Sequence, residues 1–164
     1  MQRMRLRTLV ALLLLGLSAC DWLTGGTFTV VQGYRDGHPL FLTIDTSLRD
    51  GKAKRGFPWF LSISTPLKYP TKDGLTNEAE ASELNAWEDG LEKEISRACR
   101  FVHVGRVTWN RTRELLYYVD TPDSVAPGLE KLAAEKSNRE FHVQIERDDQ
   151  WAKVSSYVEM IPAR

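Results

Sequence analysis

RFVHVGRVTWNRTRELLYYVD, residues 100–120, contains two strand patterns joined by a turn. The runs Arg100 to Trp109 and Arg113 to Asp120 are rich in β-branched and aromatic residues, which are typical of β-strands. Asn110-Arg111-Thr112 separates them, so the stretch predicts an antiparallel hairpin. Helical patterns flank this hairpin on both sides, and the chain is therefore predicted to combine helices with an antiparallel sheet.

The helix before the hairpin is marked by its start and by its periodicity. Asn77, followed three residues later by Glu80, resembles a capping box that opens a helix. Apolar residues then recur at helical spacing, and charged residues fall mostly between them, which predicts one core side and one solvent side. The apolar positions are Leu84, Trp87, Leu91, Ile95 and Ala98. Gly90 costs this helix up to ~1 kcal/mol relative to alanine, and close packing on a strand would account for it.

The helix after the hairpin is shorter, and two strands lie outside the helices. Ser124 is predicted to cap the second helix, with Pro127 in its first turn. Phe57 to Leu67 and Phe141 to Arg147 have strand composition. From Phe57 onward the order is β-α-β-β-α-β, which predicts a ferredoxin-like, split βαβ core with two helices on one face of an antiparallel sheet.

An additional hairpin precedes this core. Thr27 to Tyr34 and Pro39 to Thr46 read as strands, and Asp36-Gly37 between them is a hairpin signal because glycine accepts the positive φ of a tight turn. The hairpin is expected to extend the sheet or to cover it. The predicted fold class is α+β.

Composition limits the class of protein. The chain has 164 residues, of which 42% are apolar and 10% aromatic, so it is long enough for one ordinary globular domain. Its 22 basic residues balance 22 acidic ones. Three of the basic residues, Arg3, Arg5 and Arg7, lie in an expected leader, so the remainder is mildly acidic. A mildly acidic surface with no basic stripe argues against binding to nucleic acid.

The N-terminus has the layout of an export signal. Three arginines precede the apolar run Leu9 to Leu17, which ends at Ser18-Ala19-Cys20. The run is about half of the roughly 20 residues that a membrane-spanning helix needs. Leu17-Ser18-Ala19-Cys20 resembles the lipobox of bacterial lipoproteins, in which the cysteine is acylated and becomes the new N-terminus. We therefore expect a signal peptide at 1–19, a lipidated tether at 20–26 and one α+β domain at 27–161; a plain secreted protein is the alternative.

Lipidation would determine where the protein resides. Each buried methylene contributes about 0.8 kcal/mol, so the palmitate-like chains on Cys20 would hold the domain on the membrane. Asp21 resembles the inner-membrane retention signal of enterobacterial lipoproteins. The expected location is the bacterial cell envelope, facing the periplasm, with the inner membrane favoured. Cys99 is then the one cysteine left, and we expect a buried structural thiol.

The sequence carries no complete catalytic or metal-binding motif. It lacks the nucleophile elbow, the zinc-protease helix, the phosphate-binding loop and the dinucleotide glycine pattern. His103 and His142 fall on strands that the predicted sheet separates by roughly 14 Å, too far to share a zinc ion, and His38 lies in a turn. We expect no metal and no cofactor.

Two groups of residues are candidates for function. Glu80 and Glu88 belong to an acidic cluster around the first helix and are the candidate catalytic residues, although a solvated helix face is the favoured interpretation. The candidate ligand-binding residues surround the second hairpin, where a structural ladder of cross-strand pairs is favoured over a ligand clamp. They are Arg106, Trp109, Arg113, Glu114 and Tyr117.

Several short motifs resemble the uncharacterised bacterial family called domain of unknown function 695. They span roughly Val30 to Trp151. The motifs are Gly37-His38-Pro39 with Ile44-Asp45, Phe57-Pro58-Trp59, Asp73-Gly74-Leu75, Leu84 to Leu91 with Glu88-Asp89, Gly105-Arg106-Val107-Thr108, and Arg113-Glu114-Leu115 with Tyr117-Tyr118. Some relatives join this domain to one resembling a ribonuclease E inhibitor, which implies regulation by protein contact. The resemblance implies no substrate and no catalytic residue.

These observations favour a membrane-anchored, non-enzymatic binding or protein-interaction domain. Its expected partners are the membrane, through lipid on Cys20, and an envelope protein. A small hydrolase that uses the acids around the first helix is one alternative, and an envelope structural or assembly factor is another.

Overall fold

A computed structural model describes residues 27–51, 55–135 and 139–162. Within these ranges the chain forms one six-stranded antiparallel sheet with helices packed against it, so the predicted α+β class is confirmed. The expected leader, Cys20, Asp21 and the tether lie outside the described residues.

The sheet order is β1-β2-β4-β5-β3-β6, with every neighbouring pair antiparallel. The strands are β1 Phe28–Arg35, β2 His38–Asp45, β3 Trp59–Pro66, β4 Phe101–Trp109, β5 Thr112–Val119 and β6 His142–Arg147. The helices are α1 Glu78–Ala98, α2 Pro122–Ala134 and α3 Ser155–Glu159, and short 3-10 turns occupy Thr46–Asp50 and Ala152–Val154. The order of the four strands from β3 onward is compatible with the split βαβ arrangement. The N-terminal hairpin extends the sheet, because β2 pairs with β4.

Both predicted hairpins close with two-residue turns. Asp36 and Gly37 have φ of 50° and 77°, and Asn110 and Arg111 have φ of 45° and 68°. Positive φ at both central residues matches the twist of the flanking strands. Thr112, which the sequence places in the second turn, instead pairs with Trp109 and begins β5.

The two faces of the sheet are covered by different parts of the chain. On the helical face, α1 and α2 pack over the half of the sheet that contains β5 and β3. The buried residues there are Leu61, Ile63, Leu91, Ile95, Leu115, Tyr117, Val119, Val125, Leu129 and Phe141.

The opposite face is covered by residues 148–162, which we name the C-terminal segment. Trp151 stacks on Tyr118 with ring centroids 3.9 Å apart and planes 6° apart, and its Nε1 donates to the carbonyl of Phe57 at 3.0 Å. Tyr157 and Ile161 join the same core. The sheet is therefore packed on both faces, one layer more than the predicted pair of helices provides.

Two details of the helices differ from prediction. Thr121 is the N-cap of α2, and Pro122 occupies the first turn, where its missing N–H costs nothing; Ser124 and Pro127 lie inside the helix. Gly90 is exposed, and a Cβ there would meet nothing within 4 Å, so close packing does not explain it. A close approach occurs instead between the two helices, where a Cβ at Gly128 of α2 would lie 2.9 Å from Glu94 Oε1 and 3.2 Å from Glu94 Cγ of α1.

In the part of the chain that the structure describes, none of the helices has the length and apolar character needed to cross a membrane.

Candidate functional site

The core side of α1 begins with carboxylates. The buried residues of this helix are Glu80, Leu84, Glu88, Leu91 and Ile95, which recur at helical spacing. Glu80 is 1% exposed and Glu88 is 6% exposed. The expectation that these two acids lie on the solvated side of the helix is therefore wrong. Both lie on the buried side, in line with the apolar residues.

Glu80 joins α1 to the chain that leaves β3. Asn77 caps the helix as predicted, accepting from the Glu80 N–H at 2.8 Å. The Glu80 carboxylate accepts from the N–H groups of Lys68 and Tyr69, at 2.5 and 2.8 Å, and from Arg139 Nη1 at 3.1 Å. Burial opposes ionisation, but these hydrogen bonds outweigh it and hold the pKa of Glu80 below its ordinary value. Glu80 thus has a structural role, since it holds α1 to the segment that follows β3.

Glu88 lies between two arginines of neighbouring strands. Arg113 Nη1 lies 2.7 Å from Glu88 Oε1, and Arg106 Nη1 lies 2.7 Å from Glu88 Oε2. Arg113 Nε donates to Thr108 Oγ1 at 2.6 Å, and Arg106 Nη1 also donates to Asn85 Oδ1 at 3.0 Å. We name these five residues the Glu88 cluster.

Arg113 is the most enclosed cation of the Glu88 cluster, with a side chain 6% exposed. Burial lowers the pKa of Arg113, and Glu88 opposes that effect. An arginine keeps its charge at neutral pH even so. The cluster therefore holds a fixed positive charge beneath the N-terminal half of α1.

A groove opens beside the Glu88 cluster, over β1, β2 and β4 on the helical face. Its volume is about 280 Å³. The lining residues are Val30, Phe41, Thr43, Leu75, Thr76, Arg106, Thr108 and Arg113. Strand alternation explains the floor, because Phe41 and Thr43 point here while Leu40 and Leu42 enter the opposite core. The groove combines an apolar wall with two guanidinium groups and three hydroxyls.

Residues 28–158 match the family described as a family of unknown function, DUF695. The chain belongs to this family. Comparisons with curated proteins and with solved structures gave no match. The resemblance seen in the motifs is confirmed. The family is one of unknown function, so a function for this chain has to follow from the geometry of its site.

The ligand-binding candidates of this DUF695 domain lie on both faces of the sheet. Arg106 and Arg113 come together at Glu88. Tyr117 is also on the helical face, but it is fully buried and its hydroxyl donates to Glu92 Oε1 at 3.3 Å. Burial, together with Glu92, raises the pKa of Tyr117 well above its ordinary value. Tyr117 is thus held in the core and does not line the groove.

Trp109 and Glu114 point to the opposite face. Trp109 Nε1 donates to the carbonyl of Arg35 at 3.0 Å, and the Arg35 guanidinium lies 5.2 Å from the Trp109 ring. Glu114 Oε1 accepts from Ser62 Oγ at 2.5 Å. Trp109 is three residues from Arg106, and Glu114 is adjacent to Arg113, so alternation separates each pair.

Other groove residues were not identified from the sequence. Thr108 pairs directly with Arg113 across the β4–β5 hairpin, so counting back from a two-residue turn would have found it. Thr43 lies opposite Arg106 because β2 pairs with β4. That pairing joins segments far apart in the chain, and no local pattern indicates it.

The histidines of this family member are separated, as the sheet order predicts. His103 on β4 and His142 on β6 are three strand positions apart. His103 Nδ1 lies 2.9 Å from Glu92 Oε1. Across residues 27–51, 55–135 and 139–162, no group of three or more potential ligands is placed to hold a metal ion.

Cys99 follows α1 and is half-buried. Its Sγ donates to the carbonyl of Ile95 at 3.7 Å. Burial, aided by the charge of Asp120, raises the pKa of Cys99 to about 11. A thiol with so little thiolate is a weak nucleophile, which agrees with a structural role.

Proposed function

We propose that this protein is a non-enzymatic binding domain, held on the periplasmic side of the membrane by lipid on Cys20, and that the groove beside Glu88 is its binding site. The observation that carries the proposal is the state of the two acids. Both candidate catalytic carboxylates are paired with buried or half-buried arginines, whereas the groove itself is open.

The paired acids weigh against the small-hydrolase alternative. A general acid or base must exchange a proton at the operating pH. The pKa of Glu80 is lowered and its carboxylate is enclosed by Lys68, Tyr69 and Arg139. Each oxygen of Glu88 already accepts from a guanidinium. These acids hold the structure together, and they leave the recognition of a ligand to the arginines.

The anchor is supported by the sequence around Cys20. The lipobox-like residues 17–20 are followed by a tether that reaches the first strand at Phe28. Seven residues extend at most roughly 24 Å at ~3.4 Å each, so the groove would work close to the bilayer. Asp21 favours retention in the inner membrane.

An envelope assembly factor is the second candidate, and the edge of the sheet favours it. β1 is the outermost strand on its side. Phe28, Val30 and Tyr34 of this strand are exposed. Exposed apolar edges invite pairing with another chain.

Mass spectrometry of the protein from its native host tests the anchor. We expect an N-terminus at Cys20 that carries acyl chains, and release of the domain from membranes in Cys20→Ala. An unacylated protein that begins at another residue would refute the proposal that lipid on Cys20 holds the domain on the membrane.

Crosslinking and pull-down from native membranes test the groove. A partner captured by the wild-type chain should be lost with Arg106→Gln, in the groove, and kept with Arg97→Gln, an exposed arginine of α1. Equal capture by both variants would exclude the groove. For the hydrolase alternative, Glu88→Gln would have to abolish a measured turnover.

A further inference from the structure

We infer that the groove recognises a carboxylate group, which the guanidinium groups of Arg106 and Arg113 hold while Val30, Phe41 and Leu75 contact an apolar part of the same ligand. This inference rests on the proposed function and names the ligand class of its site. It follows from the charge, the unused donors and the shape of the groove.

The charge of the Glu88 cluster is unbalanced. Arg106 and Arg113 carry two positive charges, and Glu88 supplies one negative charge between them. Glu80, the other buried acid of α1, is paired with Arg139. Counted within the Glu88 cluster, one positive charge is therefore left for a monoanion. Glu80 also acts on the charge of Arg113, but its own carboxylate is held by Arg139.

Several donors of the two arginines are unused. Arg113 uses Nε for Thr108 and Nη1 for Glu88, and Arg106 uses Nη1 for both Asn85 and Glu88. Within the described ranges, Nη2 of Arg113 and Nε and Nη2 of Arg106 have no hydrogen-bond partner. Guanidinium groups are planar and match the geometry of a carboxylate.

The donors are fixed before a ligand arrives. Thr108 Oγ1 and Glu88 Oε1 hold the Arg113 side chain from two directions. A ligand that meets an ordered guanidinium loses less conformational entropy on binding. Thr108 Oγ1 already accepts from Arg113, so its own hydroxyl hydrogen is available to donate to a bound oxygen.

The groove sets the size of the ligand. A volume of about 280 Å³ lies near the lower end of the roughly 300–1,000 Å³ that small-molecule pockets usually have. This space fits an amino-acid derivative or the last residue of a peptide. Val30 at the outer wall is exposed, so a longer chain can leave across β1. A free small carboxylate and a peptide C-terminus share this chemistry.

Titration followed by NMR on the full-length chain, purified in detergent, tests the inference. The probes are N-acetyl-leucine and its neutral counterpart N-acetyl-leucinamide. We expect N-acetyl-leucine to bind in the millimolar range and to shift the Arg106 and Arg113 side-chain signals, with the amide at least about tenfold weaker. A short peptide ending in leucine, compared with its amidated form, distinguishes a peptide source from a free carboxylate.

Three variants locate the effect. Arg106→Gln should weaken binding of N-acetyl-leucine at least about tenfold, while Arg97→Gln leaves it unchanged. Glu88→Gln removes the carboxylate charge and leaves a single acceptor oxygen for two guanidinium groups, although Arg106 Nη1 keeps its bond to Asn85. The variant should therefore bind the probe about tenfold more tightly. If Glu88→Gln is partly unfolded alone, N-acetyl-leucine should raise its Tm by more than it raises the Tm of the wild type.

Four results would overturn the inference. They are equal binding of the acid and the amide, equal binding of inorganic phosphate, unchanged affinity in Arg106→Gln, and no binding of either N-acetyl-leucine or the peptide. In each case the proposed binding function would still stand or fall separately, on the pull-down from native membranes.

Discussion

The two faces of the sheet use opposite chemistry. The face beneath the C-terminal segment is closed by stacked and apolar side chains, with Trp151 on Tyr118 at its centre. The helical face is apolar under α2 and the end of α1, but beside the start of α1 it is charged and partly open. Burial of aromatic surface stabilises a fold outright, whereas a buried ion pair must first offset the loss of hydration of both charges.

The two faces therefore contribute differently to the stability of the protein. The stacked face has the composition of a core and accounts for stability. The charged half of the helical face contributes little net stability for the charges it encloses. Among the described residues, some donors of Arg106 and Arg113 have no hydrogen-bond partner. Under the proposed function, these donors are the groups that recognise the ligand.

The largest expected effect is on the stacked face. Trp151→Ala should lower the free energy of unfolding by about 4 kcal/mol, because it empties a large buried volume and removes the hydrogen bond to Phe57. Urea unfolding measures the change. Tyr34→Ala is the control, since Tyr34 is 81% exposed, and it should stay within about 0.5 kcal/mol of the wild type. A small loss in Trp151→Ala would mean that the C-terminal segment is dispensable.

The charged face should respond to single and combined changes in opposite ways. Glu88→Ala should cost about 3 kcal/mol, because it leaves Arg113 buried without its counter-ion. Replacing all three charges together, with Glu88→Leu, Arg106→Leu and Arg113→Met, should restore most of that loss, since no unpaired charge remains. Chemical denaturation of both variants decides the matter, and a triple variant less stable than Glu88→Ala would show that the charges do stabilise the fold.

Acid should weaken both faces of the sheet, and Glu80 on the helical face and Asp148 on the opposite face each contribute to that loss. The pKa of Glu80 lies below its ordinary value of 4.5. Burial raises the pKa of Asp148, but its hydrogen bonds lower it more strongly, so it lies below its ordinary value of 3.8. A lowered folded-state pKa contributes stability that is present above the unfolded pKa and is lost as pH falls through the folded pKa. Unfolding measured from pH 6 to pH 2 should therefore show a loss below about pH 4.5.

Two isosteric variants separate the contributions to this pH dependence. Glu80→Gln and Asp148→Asn should each flatten part of the decline, because neither amide titrates. Glu130→Gln, at an exposed position of α2, is the control and should leave the profile unchanged. Profiles identical to the wild type in both isosteric variants would contradict the assignment.

The smallest expected effect is at the solvent side of α1. Gly90→Ala should stabilise the protein by up to about 1 kcal/mol, because the site has open space and alanine favours the helix. Gly128→Ala should give no such gain, since its Cβ would meet Glu94. Thermal unfolding compares the two, and equal gains would show that α1 and α2 are less closely packed than the structure has them.

Local patterns predicted the elements more fully than they predicted the site. The capping residue Asn77, the hairpin at Asp36-Gly37 and the run of strands follow from short-range rules. Glu88 illustrates the limit, because a glutamate four residues after Leu84 lies on the core side but reads as solvent-facing until its arginine partners are known. Trp109 and Glu114 were grouped with Arg106 and Arg113 by nearness in sequence, which strand alternation breaks.

The sequence by itself determined the class of fold, the family, and the order of the six strands and two longer helices, because periodicity and turn chemistry act over a few residues. The proposal that Cys20 carries lipid also rests on the sequence alone. Tertiary structure decided which charges meet: β4 and β5 carry Arg106 and Arg113 to Glu88 on α1, and β2 adds Thr43. The physical reason is that pairing between distant strands depends on the shared core, and no single segment encodes that core.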